Sequence, residues 1–278
     1  MPTFKRDSKL VSRVVPSPNH GPRRRSKLRL TAPARPDLIV LHYTGMKSAD
    51  AALGRLTVRD SEVSAHYLVY ENGTIVQMVP EKRRAWHAGV SSWHGETDIN
   101  SRSIGIEIAN PGHEFGYPAF PRRQIDAVIA LCRDIMRRQR IRPEGVLAHS
   151  DIAPSRKQDP GEKFPWSRLA RAGVGVWTRP APIRKGGALA PGQHGTSVTE
   201  LQQALASFGF GLLASGTYDP ATADVVTAFQ RRYRPARVDG IADGSTLATL
   251  RRLLARQRAR GRMPDQKPVR PKPKHIRI

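Results

Sequence analysis

The sequence predicts an α/β domain followed by a small domain of three helices. Short apolar runs rich in branched residues, at 38–41, 104–108 and 146–148, have the length and composition of buried strands. Pro121 begins a segment whose apolar residues repeat at three and four, which indicates a helix that packs on a sheet. After a segment rich in proline and glycine at 178–193, the apolar spacing becomes helical.

The first predicted strand ends at a histidine. The run at 38–41 is followed at once by HYTG, so His42 stands at the carboxyl end of a strand, where a side chain can project into a cleft. The apolar spacing at 48–59 predicts a helix. SAHYLVYENGTIVQMVP then predicts two strands joined at Asn72 and Gly73, because Asn-Gly is a strong hairpin signal.

The middle of the chain predicts a loop and then a strand. RRAWHAGVSSWHGETDIN lacks periodicity and is polar, so we expect a surface loop of the kind that often contacts ligands. In SIGIEIAN, isoleucines alternate with Gly105 and Glu107. Side chains alternate between the faces of a strand, so Glu107 points away from the isoleucines, either to solvent or into a cleft.

The predicted core helix leads to a second histidine. Cys132, the one cysteine, lies on the apolar side of this helix, so we expect a buried thiol. Pro143 and Gly145 end the helix, and the run at 146–148 delivers His149 at the end of another strand.

The last part of the chain predicts three short helices. Ser197 and Glu200 fit a capping box, and Asp219 before Pro220 fits the start of a second helix. Leucines mark a third helix. This region holds no cluster of histidine, cysteine and carboxylate side chains suited to catalysis, so we interpret it as a binding module.

The composition is that of a globular protein with basic ends. The chain has 278 residues, of which 38% are apolar and 25% charged, and a net charge of +24. Lysine and arginine concentrate near both termini, where they attract polyanions of any class. We expect no membrane span, because no apolar run approaches roughly 18 residues. The N-terminal residues lack the apolar core of a secretory signal, which favours the cytoplasm over the cell envelope.

Three residues form a candidate metal site. Imidazole and carboxylate are good zinc ligands, and a catalytic zinc typically takes three protein ligands and leaves one position for water. The candidates are His42, His149 and Asp159, which a proline-containing loop can return toward His149. Other histidines remain rival ligands on spacing alone: His66, His87, His94 and His113.

Two further residues are candidates for catalysis. Glu107 is the candidate general base, since water acidified by a metal still benefits from a carboxylate that takes its proton. Lys157, two residues before Asp159, would lie near a developing oxyanion, which a positive charge stabilises. The structural alternatives are a solvent-facing strand residue and a surface cation.

Several motifs carry a family resemblance. In chain order they are SPNHGPR, LHYTGM, SAHYLVYENGTIVQMV, AWHAGVSSW, NSRSIGIEIAN and AHSDIAPSRKQDPG. Over about 35–170 the chain resembles the zinc-dependent type-2 N-acetylmuramoyl-L-alanine amidases, whose fold is similar to that of peptidoglycan-recognition proteins. The resemblance implies a central mixed sheet flanked by helices. It also implies one Zn²⁺ on the three candidate ligands, with Glu107 and Lys157 catalytic.

The C-terminal region is similar to the three-helix peptidoglycan-binding module, in LQQALASFGF, GTYDPATADVVTAFQRRY and VDGIADGSTLATL. Together the resemblances imply that a peptidoglycan or muropeptide substrate is hydrolysed at the amide between N-acetylmuramic acid and L-alanine. On this interpretation, Trp86 and His87 line the substrate groove. The expected domains are a flexible basic lead-in at 1–30, a catalytic domain at 31–177, a linker at 178–193, the module at 194–256 and a disordered basic tail at 257–278.

Two other classes of protein remain open at this point. A non-catalytic peptidoglycan receptor would share the fold, but would not need a complete metal site. A nucleic-acid-binding protein would explain the charge, yet the basic residues lie in tails without interleaved aromatic residues, so we expect no specific nucleic acid. The sequence leaves open the oligomeric state and the preference between intact wall and 1,6-anhydro-muropeptides.

Overall fold

The computed structural model describes residues 4–26, 28 and 35–259. The strands are β1 (Arg13–Val14), β2 (His20–Pro22), β3 (Leu38–Tyr43), β4 (Tyr67–Val69), β5 (Ile75–Gln77), β6 (Arg83–Ala85), β7 (Ser103–Ile108), β8 (Val146–Ala148), β9 (Ala188–Leu189) and β10 (Ala242–Asp243). The helices are α1 (Ala49–Thr57), α2 (Ile99–Arg102), α3 (Arg122–Gln139), α4 (His149–Ile152), α5 (Trp166–Arg171), α6 (Thr196–Phe208), α7 (Pro220–Tyr233) and α8 (Gly244–Ala259).

A mixed sheet of six strands forms the centre of the first domain, in the order β1-β5-β4-β7-β3-β8. Within it β4 and β5 pair antiparallel, and the other neighbours pair parallel. The antiparallel pair is the predicted hairpin, whose turn contains Gly73 at a φ of 88°. Parallel strands need crossover connections, and α3 lies in the one that leads from β7 past β3 to β8. The central mixed sheet flanked by helices is therefore confirmed.

The two faces of the sheet bury different partners. Ile39 and Leu41 of β3 share a core with the isoleucines of β7 and the apolar side of α3, where Cys132 is buried as predicted. Leu38 and Val40 alternate onto the other face and belong to a core that contains residues of α6, α7 and α8. The second core therefore joins the two domains.

The N-terminal residues are part of the domain that contains the central sheet. β1 is a strand of the central sheet, and β2 pairs with β6. Asn19 is buried and donates to the backbone of Val58 and Val63, while Arg23 donates to the backbone of Ser103. The prediction of a flexible lead-in at 1–30 is therefore wrong over 4–26, because these polar side chains satisfy backbone carbonyls of the sheet domain.

The predicted linker at 178–193 contacts the C-terminal domain at two places, while residues 182–187 and 191–193 are exposed. It contains β9, which pairs antiparallel with β10. Ala181 is buried, and its backbone amide donates to Thr249 Oγ1 of α8 at 3.0 Å. Of the basic tail predicted at 257–278, residues 257–259 continue α8, and residues 260–278 lie outside the described residues.

Two helix N-caps were predicted in the C-terminal domain, and the structure has one of them. Asp219 caps α7 by accepting from the backbone amide of Thr222 at 2.8 Å, as predicted. By contrast, α6 begins after Gly195, so the predicted capping box at Ser197 and Glu200 is wrong, since both lie inside the helix. No helix in the described part of the chain is long and apolar enough to cross a membrane.

Trp93, in the loop predicted at the surface, lies between the domains. Trp93 is 4% exposed, and its ring centroid lies 6.2 Å from that of Phe208 and 5.4 Å from that of Phe210. The predicted surface loop is therefore wrong at this residue. The loop is polar in composition, so the sequence did not indicate that the second domain buries this one aromatic side chain.

A buried ion pair also joins the domains. Arg232 of α7 donates to the Asp151 carboxylate of α4, and the two side chains are 2% and 1% exposed. Arg232 also donates to the backbone of Val146 at 3.0 Å and lies 4.0 Å over the Trp166 ring. Because removing one partner of a buried pair leaves the other charge uncompensated, this contact fixes how α7 docks.

Replacing Trp93 with alanine should lower the free energy of unfolding by about 3–5 kcal/mol, because a large buried ring is lost from the junction. Denaturation by urea measures this change. Leu213→Ala is the control, since Leu213 is 86% exposed and its loss should cost less than about 0.5 kcal/mol. Equal stability of the two variants would show that the loop contributes nothing to docking.

Candidate metal centre and active site

The register of three parallel strands brings three predicted side chains to one place. His42 of β3 pairs with Glu107 of β7, and Leu41 of β3 pairs with Ala148 of β8. The residue after Ala148 is His149, so it leaves β8 beside His42. All three side chains lie on the face opposite the isoleucine core, at the carboxyl ends of their strands.

A loop returns Asp159 to this place. The backbone amide of Ser150 donates to Asp159 O at 3.0 Å, which holds the loop against α4. Tyr117 Oη donates to Pro160 O at 2.7 Å, and the backbone amide of Lys157 donates to Ala153 O at 3.0 Å. The proline-containing segment is thus tied at both ends and in the middle.

Three donor atoms form a tight triangle. His42 Nδ1 lies 2.9 Å from His149 Nδ1 and 3.1 Å from Asp159 Oδ2, and the remaining side is 3.0 Å. The three residues are 2%, 4% and 6% exposed. Within the described chain they are the one group of histidine, cysteine or carboxylate residues with the geometry of a metal site. Two nitrogens and a carboxylate oxygen around one point suit a divalent cation such as zinc.

The charges at the triangle also suit a cation. Burial, and after it the neighbouring His149, lowers the pKa of His42 to about 4. Burial alone would raise the pKa of Asp159, but the adjacent His149 and His42 outweigh it, so the pKa of Asp159 is lowered. At neutral pH the site therefore presents a neutral His42 imidazole beside a carboxylate, which is the protonation state that metal binding requires.

The outer nitrogens of both histidines have partners in the loop that contains Trp86. His42 Nε2 lies 3.0 Å from His87 Nδ1, and His149 Nε2 lies 3.2 Å from Ala88 O. The loop thus contacts both imidazoles from the side away from the triangle.

Glu107 lies beside the triangle in an unusual environment. Its Oε2 atom is shielded from solvent and has no hydrogen-bond partner among the described residues. Burial, and after it the negative charge of Asp159, raises the pKa of Glu107 well above its ordinary value, and Lys157 opposes this shift. A carboxylate with a raised pKa and an unused oxygen is a candidate for proton transfer.

One cleft contains every residue that the sequence predicted for the site. Its lining includes His42, Trp86, His87, Glu107, His149, Lys157 and Asp159. The exposed residues Arg55 of α1, Arg156 and Glu114 also line it, so its rim carries two positive charges and one negative charge.

A cluster of Tyr43, His113 and Glu162 adjoins the cleft, and the sequence predicted His113 only as a rival metal ligand. Tyr43 Oη lies 2.9 Å from His113 Nδ1, and His113 Nε2 lies 3.2 Å from Glu162. The His113 ring stacks on Tyr117 with centroids 4.1 Å apart. Tyr43 follows His42 in the sequence, and this was the one indication that it lies near the site. Nothing in the sequence spacing places His113 beside Tyr43.

The rival histidines lie outside the triangle. His66 is buried, and its Nδ1 accepts from the backbone amide of Gly105 at 3.0 Å. The backbone amide of His94 donates to Gly209 O at the domain junction. His87 and His113 hydrogen-bond as described above. The alternative ligand sets are therefore not formed.

Family comparisons agree with this arrangement. Residues 32–162 match the family described as N-acetylmuramoyl-L-alanine amidase. Residues 194–250 match the family described as a putative peptidoglycan binding domain. The first match contains His42, Glu107, His149, Lys157 and Asp159, and the second covers α6, α7 and part of α8.

Among curated proteins, the chain is 41% identical over 231 residues to the N-acetylmuramoyl-L-alanine amidase AmiD of Escherichia coli, covering 78% of this chain and 82% of AmiD. It is 32% identical over 175 residues to the 1,6-anhydro-N-acetylmuramyl-L-alanine amidase AmpD of Enterobacter cloacae, covering 57% of this chain and 88% of AmpD.

Solved structures show the same similarity. The E. coli AmiD complex with the substrate anhydro-N-acetylmuramic acid-L-Ala-D-γ-Glu-L-Lys superposes with a TM-score of 0.69 at 37% identity, over 84% of this chain and 93% of AmiD. AmpDh3 of Pseudomonas aeruginosa gives a TM-score of 0.68 at 31% identity, over 82% and 94% of the two chains. On these grounds the chain belongs to the N-acetylmuramoyl-L-alanine amidase family, enzymes that hydrolyse the amide bond between N-acetylmuramic acid and L-alanine.

Proposed function

We propose that the enzyme holds one zinc ion on His42, His149 and Asp159 and uses it to hydrolyse a muropeptide. The observation that carries this proposal is the triangle of donor atoms with sides of 2.9, 3.1 and 3.0 Å. Three protein ligands of these types are typical of catalytic zinc, whereas structural zinc sites usually have four. When bound, the ion would supply a Lewis acid to the scissile carbonyl and would acidify water.

Glu107 is proposed as the general base. The unpartnered Oε2 and the raised pKa support this role, since such a carboxylate can accept a proton from the attacking water near neutral pH. The same group can then deliver that proton to the departing amine of L-alanine. Burial also excludes bulk water that would compete for the carboxylate.

Lys157 is proposed to stabilise the oxyanion that forms on the scissile carbonyl. It lines the same cleft as Glu107 and the three proposed ligands, and it is partly buried. A positive charge aimed at developing negative charge is worth most where water is scarce.

The substrate is proposed to be a peptidoglycan fragment whose stem peptide lies along the rim of the cleft. Arg55, Arg156 and Lys157 line the cleft and suit the carboxylates of a stem peptide, while Trp86 offers an apolar surface to the sugar. AmiD was solved with an anhydro-muropeptide substrate, and AmpDh3 with an anhydromuramic pentapeptide. We propose the same class of glycopeptide for this enzyme.

The C-terminal domain is proposed to bind the polymeric wall. A second cleft lies between α6, α8 and β9, with leucine side chains on its walls and the polar residues Ser197, Glu200 and Arg251 at its edges. Apolar surface with a few polar groups suits a glycopeptide. Wall binding favours the alternative location, the cell envelope, over the cytoplasm expected from the sequence, and cell fractionation distinguishes the two.

Loss of a residue that hydrogen-bonds a metal ligand typically lowers metal affinity by about 10- to 100-fold. Asp159→Asn should lower zinc affinity by more than about 100-fold, because it replaces a carboxylate ligand itself with a neutral amide oxygen. Metal analysis after dialysis against a weak chelator measures this change. His194→Ala is the control, since His194 is exposed and far along the chain from the site. Wild-type protein without near-stoichiometric zinc would contradict the proposed metal.

Glu107→Gln should retain zinc and lower kcat for muropeptide hydrolysis by about 10²- to 10⁴-fold, because the amide cannot accept the proton. Mass spectrometry of the released peptide follows the rate. Glu71→Gln removes an exposed carboxylate of the hairpin turn and should leave kcat unchanged. Equal turnover of the two variants would eliminate Glu107 as the base.

Ala204→Trp should weaken binding to intact sacculi by about tenfold, because the indole fills the second cleft, a loss of roughly 1.4 kcal/mol. Hydrolysis of small soluble muropeptides should not change. Co-sedimentation measures binding, and Ala214→Trp, on an exposed loop, is the control. Normal sedimentation of Ala204→Trp would place wall binding elsewhere.

A further inference from the structure

A chain of hydrogen bonds runs from a backbone carbonyl to the outer nitrogen of His42. Ser103 Oγ lies 2.7 Å from Ile99 O. His87 Nε2 lies 3.1 Å from the same Ser103 Oγ, and His87 Nδ1 lies 3.0 Å from His42 Nε2. The side chain of Ser103 is fully buried, so water does not interrupt the chain at its far end.

The direction of these bonds is fixed from the carbonyl end. Ile99 O can only accept, so the Ser103 hydroxyl donates to it and uses its one proton. Ser103 Oγ then accepts from His87 Nε2–H, which leaves His87 Nδ1 without a proton. His87 Nδ1 accepts in turn from His42 Nε2–H. A neutral imidazole carries one N–H, so His42 Nδ1 is bare, and this is the atom that lies in the donor triangle.

His87 is itself held in place by its surroundings. Its backbone amide donates to Asn100 Oδ1 at 3.0 Å, and the next amide, of Ala88, donates to the same oxygen at 2.9 Å. The imidazole lies against Gly105 of β7, where a Cβ atom would come within 2.4 Å of His87 Cγ. A glycine is therefore needed at position 105 of the strand SIGIEI, because any larger side chain would occupy the position of the His87 imidazole.

The neighbouring residue serves the other histidine. Ala88 O lies 3.2 Å from His149 Nε2 and can only accept, so His149 also turns a bare Nδ1 toward the triangle. Arg156 Nη2 donates to the same carbonyl at 3.0 Å and fixes its position. Two consecutive residues of one loop thus set the tautomers of both imidazoles.

We propose that His87 is a positioning residue for the metal site and not a substrate contact. Together with Ala88 O, it holds His42 and His149 in the tautomer and orientation that bind a cation. The inference rests on the proposed zinc site, and it assigns the His-Ala pair of the WHAG motif to the outer shell of that site.

The test is zinc affinity, measured by competition with a chromophoric chelator. His87→Phe keeps a ring but removes the acceptor for His42 Nε2–H, so the zinc dissociation constant should rise about 10- to 100-fold. His87→Asn keeps an acceptor oxygen close to the position of Nδ1 and should recover most of this loss. Cobalt substitution gives a second readout, because a reoriented His42 changes the visible absorption of bound Co²⁺.

Two other variants test the same chain without changing His87. Gly105→Ala displaces the imidazole and should raise the zinc dissociation constant as His87→Phe does. Ser103→Ala removes the far acceptor and should give a smaller rise of the same sign. His194→Phe is the matched control, because it makes the same substitution at an exposed histidine.

The outcomes separate this inference from the zinc site itself. If Asp159→Asn lowers zinc affinity but all three variants in the chain bind zinc and cobalt as the wild type does, the positioning role is wrong. A raised KM for the muropeptide with unchanged metal affinity in His87→Phe would instead make His87 a substrate contact. If Asp159→Asn has no effect on zinc, the metal site is wrong, and the failure lies in the proposed function.

Discussion

The register between β7, β3 and β8 is the constraint on which the site depends. In the parallel pairing, His42 lies directly opposite Glu107. Leu41 lies opposite Ala148, so the next residue, His149, comes beside His42. A shift of one residue in either pairing would turn a functional side chain onto the isoleucine face. The apolar residues of β3 prevent such a shift, because Ile39 and Leu41 are buried under α3 and cannot exchange faces without exposure.

Two buried carboxyl groups of the site have pKa values shifted in opposite directions. Glu107 and Asp159 are both carboxyl groups in the same cleft, but the pKa of Glu107 is raised and that of Asp159 is lowered. The difference is that two imidazoles contact Asp159, whereas no described residue hydrogen-bonds Glu107 Oε2. One carboxylate is thus kept charged for a cation, and the other can exchange a proton.

The second domain is more than an appended module. Arg232 of α7 neutralises Asp151, whose carboxylate also accepts from the backbone amide of Ala148 immediately before His149. Trp93, in the loop that follows the outer-shell residues, packs against α6 and Phe210. Both connections end within a few residues of the site. The geometry around His149 therefore depends in part on how the C-terminal domain docks.

The sequence by itself determined the elements and the order of the site motifs. Buried strands, the amphipathic α3 and the Asp219 cap are local, because spacing and side-chain chemistry decide them within a few residues. Only the tertiary structure decided what the polar segments do. Asn19 and Arg23 donate hydrogen bonds to backbone carbonyls far along the chain. His87 reaches His42 because Gly105 has no side chain in the way. Such contacts join residues tens of positions apart, and no local pattern records which polar side chain will find a buried partner.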